Sequence, residues 1–156
     1  MFSVKRFMGT VTTFLMLFSV SAFAVDDAVN TGRFNDTAID GYDTVAYFTQ
    51  NKPVEGNKVH QVKWRDANWY FSSEENKTLF TAEPEKYAPQ YGGWCAYAMS
   101  KGDTARIDPD AFDISNGKLY LNYNKNVQEI WLEEKLSHIE KADDLYPKET
   151  NVKTFE

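Results

Sequence analysis

The sequence predicts an α+β domain of small antiparallel hairpins with helices segregated around them and a C-terminal helix packed on the domain. Three features carry that expectation. Apolar and polar residues alternate through "KVHQVKWRDANWYF" (58–71); a similar alternation flanks Asn116-Gly117; and residues 126–142 repeat apolar side chains at helical spacing.

Taken in order, the chain opens with a short basic stretch, "MFSVKRF", an apolar run, "MGTVTTFLMLFSVSA", and the small-x-small triplet Ala22-Phe23-Ala24. This is the pattern of a cleaved Sec-type signal peptide over residues 1–24. The run is diluted by Thr10, Thr12 and Thr13 and falls short of the roughly 20 apolar residues a membrane span needs. The expected product is a periplasmic protein, not embedded in the membrane. Residues 25–37 read as a flexible N-terminal segment, 38–147 as one domain that includes the C-terminal helix, and 148–156 as a tail.

Within the domain, "IDGYDTVAYFT" (39–49) offers a turn at Asp40-Gly41 and then a short extended piece. The first hairpin turns at "RDAN". Ser72, with Glu75 three residues on, has the form of a capping box opening the helix "SEENKTLFTA". Pro84 starts a short helical step that ends in Gly92-Gly93, and "WCAYAMSKG" gives one or two helical turns stopped by Gly102. "AFDISNGKLYLNY" is the clearest local signal, because Asn-Gly suits a two-residue hairpin turn. Asn124 or Asn126 caps the last helix, 126–142, on which Val127, Trp131, His138 and Ala142 share a face and Leu132, Leu136 and Ile139 fill an adjoining stripe.

Composition narrows the function classes. The 156 residues carry 23 acidic and 17 basic side chains, and the net charge of −6 becomes −8 once Lys5 and Arg6 leave with the leader. Duplex nucleic acid is a poor partner for such a surface. Aromatic residues make up 15%, which argues for a packed globule. The single cysteine, Cys95, cannot form an intramolecular disulfide.

The blocks "GYDTVAYF", "WYFSSEENKTLFTAEPEKYAPQYGG" and "WCAYA" resemble the exported, stand-alone YHS-domain proteins. The resemblance runs from about Asp40 to Asn124 and continues weakly through the last helix. It implies a small α+β fold akin to treble-clef-like and TRASH-like heavy-metal modules, found beside or inside copper transport proteins and some multicomponent monooxygenases. In that family a cysteine stands near the start of the motif and two more in a Tyr-Phe-Cys-x-x-x-Cys block ahead of Phe-x-x-x-Pro-x-x-Tyr. Here the last segment is intact as Phe80, Pro84 and Tyr87, while Gly41-Tyr42-Asp43, Ser72 and Asn76 stand at the cysteine positions.

The remaining sulfurs are the next candidates. Cys95 and Met99 are four residues apart and stack on one helix face. With His60 or His138 they suit Cu(I) or another soft metal; equally, both sulfurs suit a buried apolar role. A thiolate near a helix start can instead be oxidised reversibly, with Lys101 or Arg106 the nearest cations in sequence. Each histidine reads equally well as a hydrogen-bonded residue in or beside the core. Tyr42, Asp43, Tyr47, Trp69, Tyr91, Trp94 and Tyr97 are family-matching positions that suit either a binding pocket or the core. Asp40, Asp43, Asp103, Asp108, Asp110 and Asp113 are spaced as turn-forming and capping residues and lack the pattern of an EF-hand loop. No Gly-rich phosphate loop, Ser-His-Asp order or zinc-helix motif marks an enzyme. The first expectation is a non-enzymatic binding module handling copper or another soft metal; the others are a thiol redox protein using Cys95 and an interaction domain that docks a periplasmic partner.

Overall fold

Two antiparallel hairpins, six α-helices and three short 3-10 helices make up the regular structure of the computed structural model, which describes residues 25–32 and 34–155. The expected signal peptide lies outside the described residues. β1 (Asn57–Trp64) pairs with β2 (Ala67–Phe71), Val62 opposite Trp69 and Trp64 opposite Ala67. Arg65 and Asp66 join them with φ of 48° and 59°, as a two-residue turn between twisted strands requires. β3 (Asp108–Ser115) and β4 (Lys118–Asn122) repeat the arrangement around Asn116-Gly117, with Ile114 opposite Leu119.

Between and after the hairpins lie the helices. α1 (Thr44–Gln50) precedes β1; α2 (Glu74–Ala82), α3 (Pro84–Tyr87) and α4 (Ala96–Met99) fill the span between the hairpins; α5 (Lys125–Glu133) and α6 (Lys135–Glu149) close the chain. The expected α+β architecture is present. None of the described helices is long and apolar enough to cross a membrane.

β4 explains how one small domain holds two packed clusters. Its alternate side chains point to opposite faces: Leu119 and Leu121 join Val45, Trp69, Phe71 and Phe80, while Tyr120 joins Met99, Trp131 and Ala142. The strand is therefore buried on both sides. In the first cluster the Phe80 ring lies 5.2 Å from Trp69 and 5.0 Å from Phe71; in the second, Tyr120 lies 5.3 Å from Trp131.

Several local expectations are corrected. The segment 39–49 is not extended: a 3-10 turn (Ile39–Gly41) leads into α1. The alternation of Val45, Tyr47 and Thr49 misleads, because Val45, Ala46 and Tyr47 are all buried and the Asp43 carboxylate caps the first turn. Ser73, not Ser72, caps α2, accepting from the Asn76 N–H at 3.1 Å. α3 stops at Ala88, whose extended backbone is what a following proline favours. The single helix expected over 126–142 is two, α5 capped by Asn124 and α6 beginning after a break at Glu134. That break turns the Leu132 and Leu136 stripe outward, and Leu136 is 77% exposed.

The terminal segments expected to lack structure are packed together. Asp26 pairs with Thr150, its N–H donating to Glu149 O at 3.0 Å, and Ala28 N–H donates to Asn151 Oδ1 at 2.7 Å. Asn30 then binds Gly92 O through its backbone and Gly93 O through its side chain. Gly92 is required there: at φ 60°, a Cβ would lie 1.7 Å from Ala28 O.

Candidate functional site

The Asp43 carboxylate lies fully buried where α1, the end of β2 and α2 converge. Its Oδ1 accepts from the N–H groups of Val45 (2.9 Å) and Ala46 (3.2 Å). Its Oδ2 accepts from Ser72 N–H (2.8 Å), Ser72 Oγ (2.6 Å) and Asn76 Nδ2 (2.7 Å). No cation takes part in this set. Burying a carboxylate is tolerable only when its lone pairs are occupied, and here five donors occupy them. Local chemistry puts each group in place: Asp43 is the N-cap of α1, Ser72 directly follows β2, and Asn76 projects from the first turn of α2.

The sulfur candidates sit elsewhere. Cys95 is 1% exposed and precedes α4; its thiol faces Asn122 Oδ1 at 3.8 Å. Burial pushes the thiol above its ordinary pKa, against the opposing pull of the backbone N–H groups of Ala98, Tyr123 and Tyr97. Met99 is fully buried and belongs to the second cluster, whereas Cys95 belongs to the first. His60 projects from β1, and its Nδ1 meets Glu74 at 3.0 Å. Nothing in these contacts brings His60 to the sulfurs. His138 is buried against the Tyr97 ring, 5.1 Å between centroids. Ser100 Oγ donates to Tyr97 O, so it accepts from His138 Nδ1–H at 2.9 Å, which fixes the tautomer. Among the described residues, no group of three or more His, Cys, Asp or Glu side chains is placed to hold a metal ion.

The pocket candidates are likewise in different surroundings. Tyr42 lines a shallow surface groove with Asp40, Glu55 and Tyr70. Asp43 is committed to its hydrogen-bond node. Tyr47 is core, edge-on to Phe112 with its hydroxyl on Pro109 O at 3.1 Å, and burial raises its pKa. Trp94 donates its indole N–H to Asp27 O at 2.8 Å, and Tyr97 covers His138.

A cleft of about 330 Å³ opens elsewhere, where the turn of the first hairpin, the loop after α3 and α6 come together. Arg65 and Trp64 form one wall, the guanidinium carbon 4.5 Å from the indole centroid. Tyr91 and Asp143 form another, the Tyr91 hydroxyl donating to Asp143 Oδ1 at 2.9 Å. Burial raises the Tyr91 pKa, and Asp143 adds to the shift. Tyr91 has φ 57°, a left-handed conformation that is an outlier for a bulky residue and that persists only where its surroundings over-determine it. In the sequence Tyr91 is one of the aromatics that suit a pocket or the core, and nothing there sets Arg65 or Asp143 apart. The Asn30 and Gly92 contacts that hold this loop join residues far apart in the chain.

The comparison with known families bears on the first of these places. The model of the YHS domain matches residues 45–91. Residues 45–91 are a YHS-domain region within the longer chain. No curated protein and no solved structure matches the chain.

The YHS region includes Ser72 and Asn76 and starts two residues after Asp43. The three places where the resemblance puts family cysteines are thus a single place in the fold. The donors there do not fit the soft cation that thiolates would hold. One carboxylate and one hydroxyl are hard oxygens already engaged with each other, and the Asn76 nitrogen is a hydrogen-bond donor with no lone pair to offer. The node joins the same three elements that a bound ion at those positions would join.

Proposed function

We propose that this protein is a non-enzymatic binding module in which the YHS region is a rigid frame that holds no metal ion, and in which ligand is taken in the cleft between that frame and α6. The saturated carboxylate of Asp43 carries the reading: a group whose lone pairs accept five hydrogen bonds has none left for a cation. The buried, raised-pKa thiol of Cys95 favours a packing role over nucleophilic or redox chemistry. The leader-like pattern of residues 1–24 supports action in the periplasm.

Metal analysis and Cu(I) titration of the mature protein against a competing chelator test this. The expected result is no stoichiometric metal after purification, a melting temperature unchanged by chelators, and equally weak Cu(I) competition by wild type and Cys95→Ser. Stoichiometric Cu(I) that is lost in Cys95→Ser overturns the reading and restores the soft-metal site of Cys95, Met99 and His60.

A further inference from the structure

We infer that the cleft bounded by Arg65, Tyr91 and Asp143 binds a small zwitterion of the α-amino-acid class. The inference rests on the cleft's role in the binding module above and gives its ligand a chemistry. Its charged lining is balanced and mixed: Arg65 and Lys118 supply positive charge, Glu85 and Asp143 negative. Such a lining disfavours a simple anion or cation, which would meet a like charge, and favours a molecule carrying both signs.

Each charge is poised for a ligand group. The Arg65 guanidinium carbon lies 4.5 Å from the Trp64 ring centroid, the group also reaches the Tyr146 hydroxyl, and its planar fork has the shape to take a carboxylate. Its ion-pair partner is Glu85 at 3.6 Å, beyond hydrogen-bond length, and the Glu85 side chain is 81% exposed. A ligand carboxylate displaces that arm with little loss, because an exposed pair so loosely made contributes little. On the Tyr91 wall, exposed Asp143 has one oxygen bonded by the Tyr91 hydroxyl, and among the described residues no hydrogen bond engages its other oxygen, which suits an ammonium. The cleft volume is at the lower end for small-molecule sites, which suits one amino acid in place of a larger ligand. The left-handed backbone of Tyr91, held by Gly92 against Ala28, keeps that wall in position before ligand arrives.

Isothermal titration of the mature protein with each of the standard L-amino acids, at up to about 10 mM, tests the assignment. At least one binds; its carboxamide and its deaminated acid each bind at least roughly tenfold more weakly, as do Arg65→Gln and Asp143→Asn. Lys118→Gln, at an exposed position, lowers affinity without changing the melting temperature, which separates lost binding from lost folding. Heat from no amino acid overturns the inference, as does binding that the Arg65 and Lys118 variants leave unchanged. A protein that binds no amino acid and still holds no metal loses only this assignment; one that carries stoichiometric copper loses the metal-free reading instead.

Discussion

Asp43 and Asn122 are both fully buried polar residues next to positions the sequence marks for chemistry, and the fold treats them in opposite ways. Every oxygen of Asp43 is engaged, by donors from three elements. Asn122 uses its oxygen, which accepts from Tyr97 N–H at 3.2 Å, but among the described residues its Nδ2 has no partner, and neither does the nearby cluster's Trp131 Nε1. A buried polar group left unpaired is costly, and one that is fully paired is expensive to disturb. The YHS region is therefore the braced half of the molecule, and the half built on β4, α5 and α6 keeps unmet hydrogen-bonding capacity in its core.

The largest expected effect lies at the braced half. Asp43→Ala takes the carboxylate from the Ser72 hydroxyl and from the N–H groups of Val45 and Ser72 at once, leaves the Asn76 amide only its 3.4 Å contact with Ser72 Oγ, and should lower stability by about 3–5 kcal/mol in urea unfolding. A cost below about 1 kcal/mol would mean that water replaces the carboxylate, and the contrast with Asn122 would fall. Trp131→Phe should be milder, about 1–2 kcal/mol in the same measurement, because the indole N–H has no bond to lose among the described residues and the cost is the cavity left by the smaller ring. A loss comparable to that of Asp43→Ala would reveal a partner for the indole and level the two halves.

The smallest effect is the pH dependence contributed by His138. Burial lowers its pKa, Lys101 and Lys141 lower it further, and Glu134 opposes them. The native state thus holds the ring neutral, while the unfolded chain takes up a proton first as the pH falls. The stability this ring contributes is complete above its ordinary pKa of about 6.5 and is lost as the pH falls through that value toward the depressed one. Wild type should therefore lose more stability than His138→Gln between neutral and mildly acid pH. Parallel profiles would show that the ring is not buried neutral.

The hairpins were legible because each depends on a local signal, Arg65-Asp66 or Asn116-Gly117 between alternating runs. α1 was misread for a physical reason: a short helix buried on most sides has no clean period, and Val45-Ala46-Tyr47 fits either template. The break at Glu134 carried no proline or glycine to announce it. The Asp43 node is a tertiary convergence across 29 and 33 residues, which no window of sequence displays. Its signal is nonetheless present, since Asp43, Ser72 and Asn76 stand, all polar, where the resemblance puts cysteines. Arg65 and Asp143 gave none, because a turn arginine and a helix aspartate are ordinary surface residues until α6 is laid beside the hairpin.

The pairing of Asp26 with Thr150 also bears on how the chain reaches this state. Ala28 and Asn151, bonded at 2.7 Å, are separated by 123 residues, so the bracing of the Gly92 loop closes a loop that spans most of the chain. Contacts of such separation form late, after nearer ones have reduced the entropy of closure. The cleft is therefore finished late: a chain still emerging from the ribosome can form its first hairpin before the contacts that brace the Gly92 loop are possible, because those wait for residue 151.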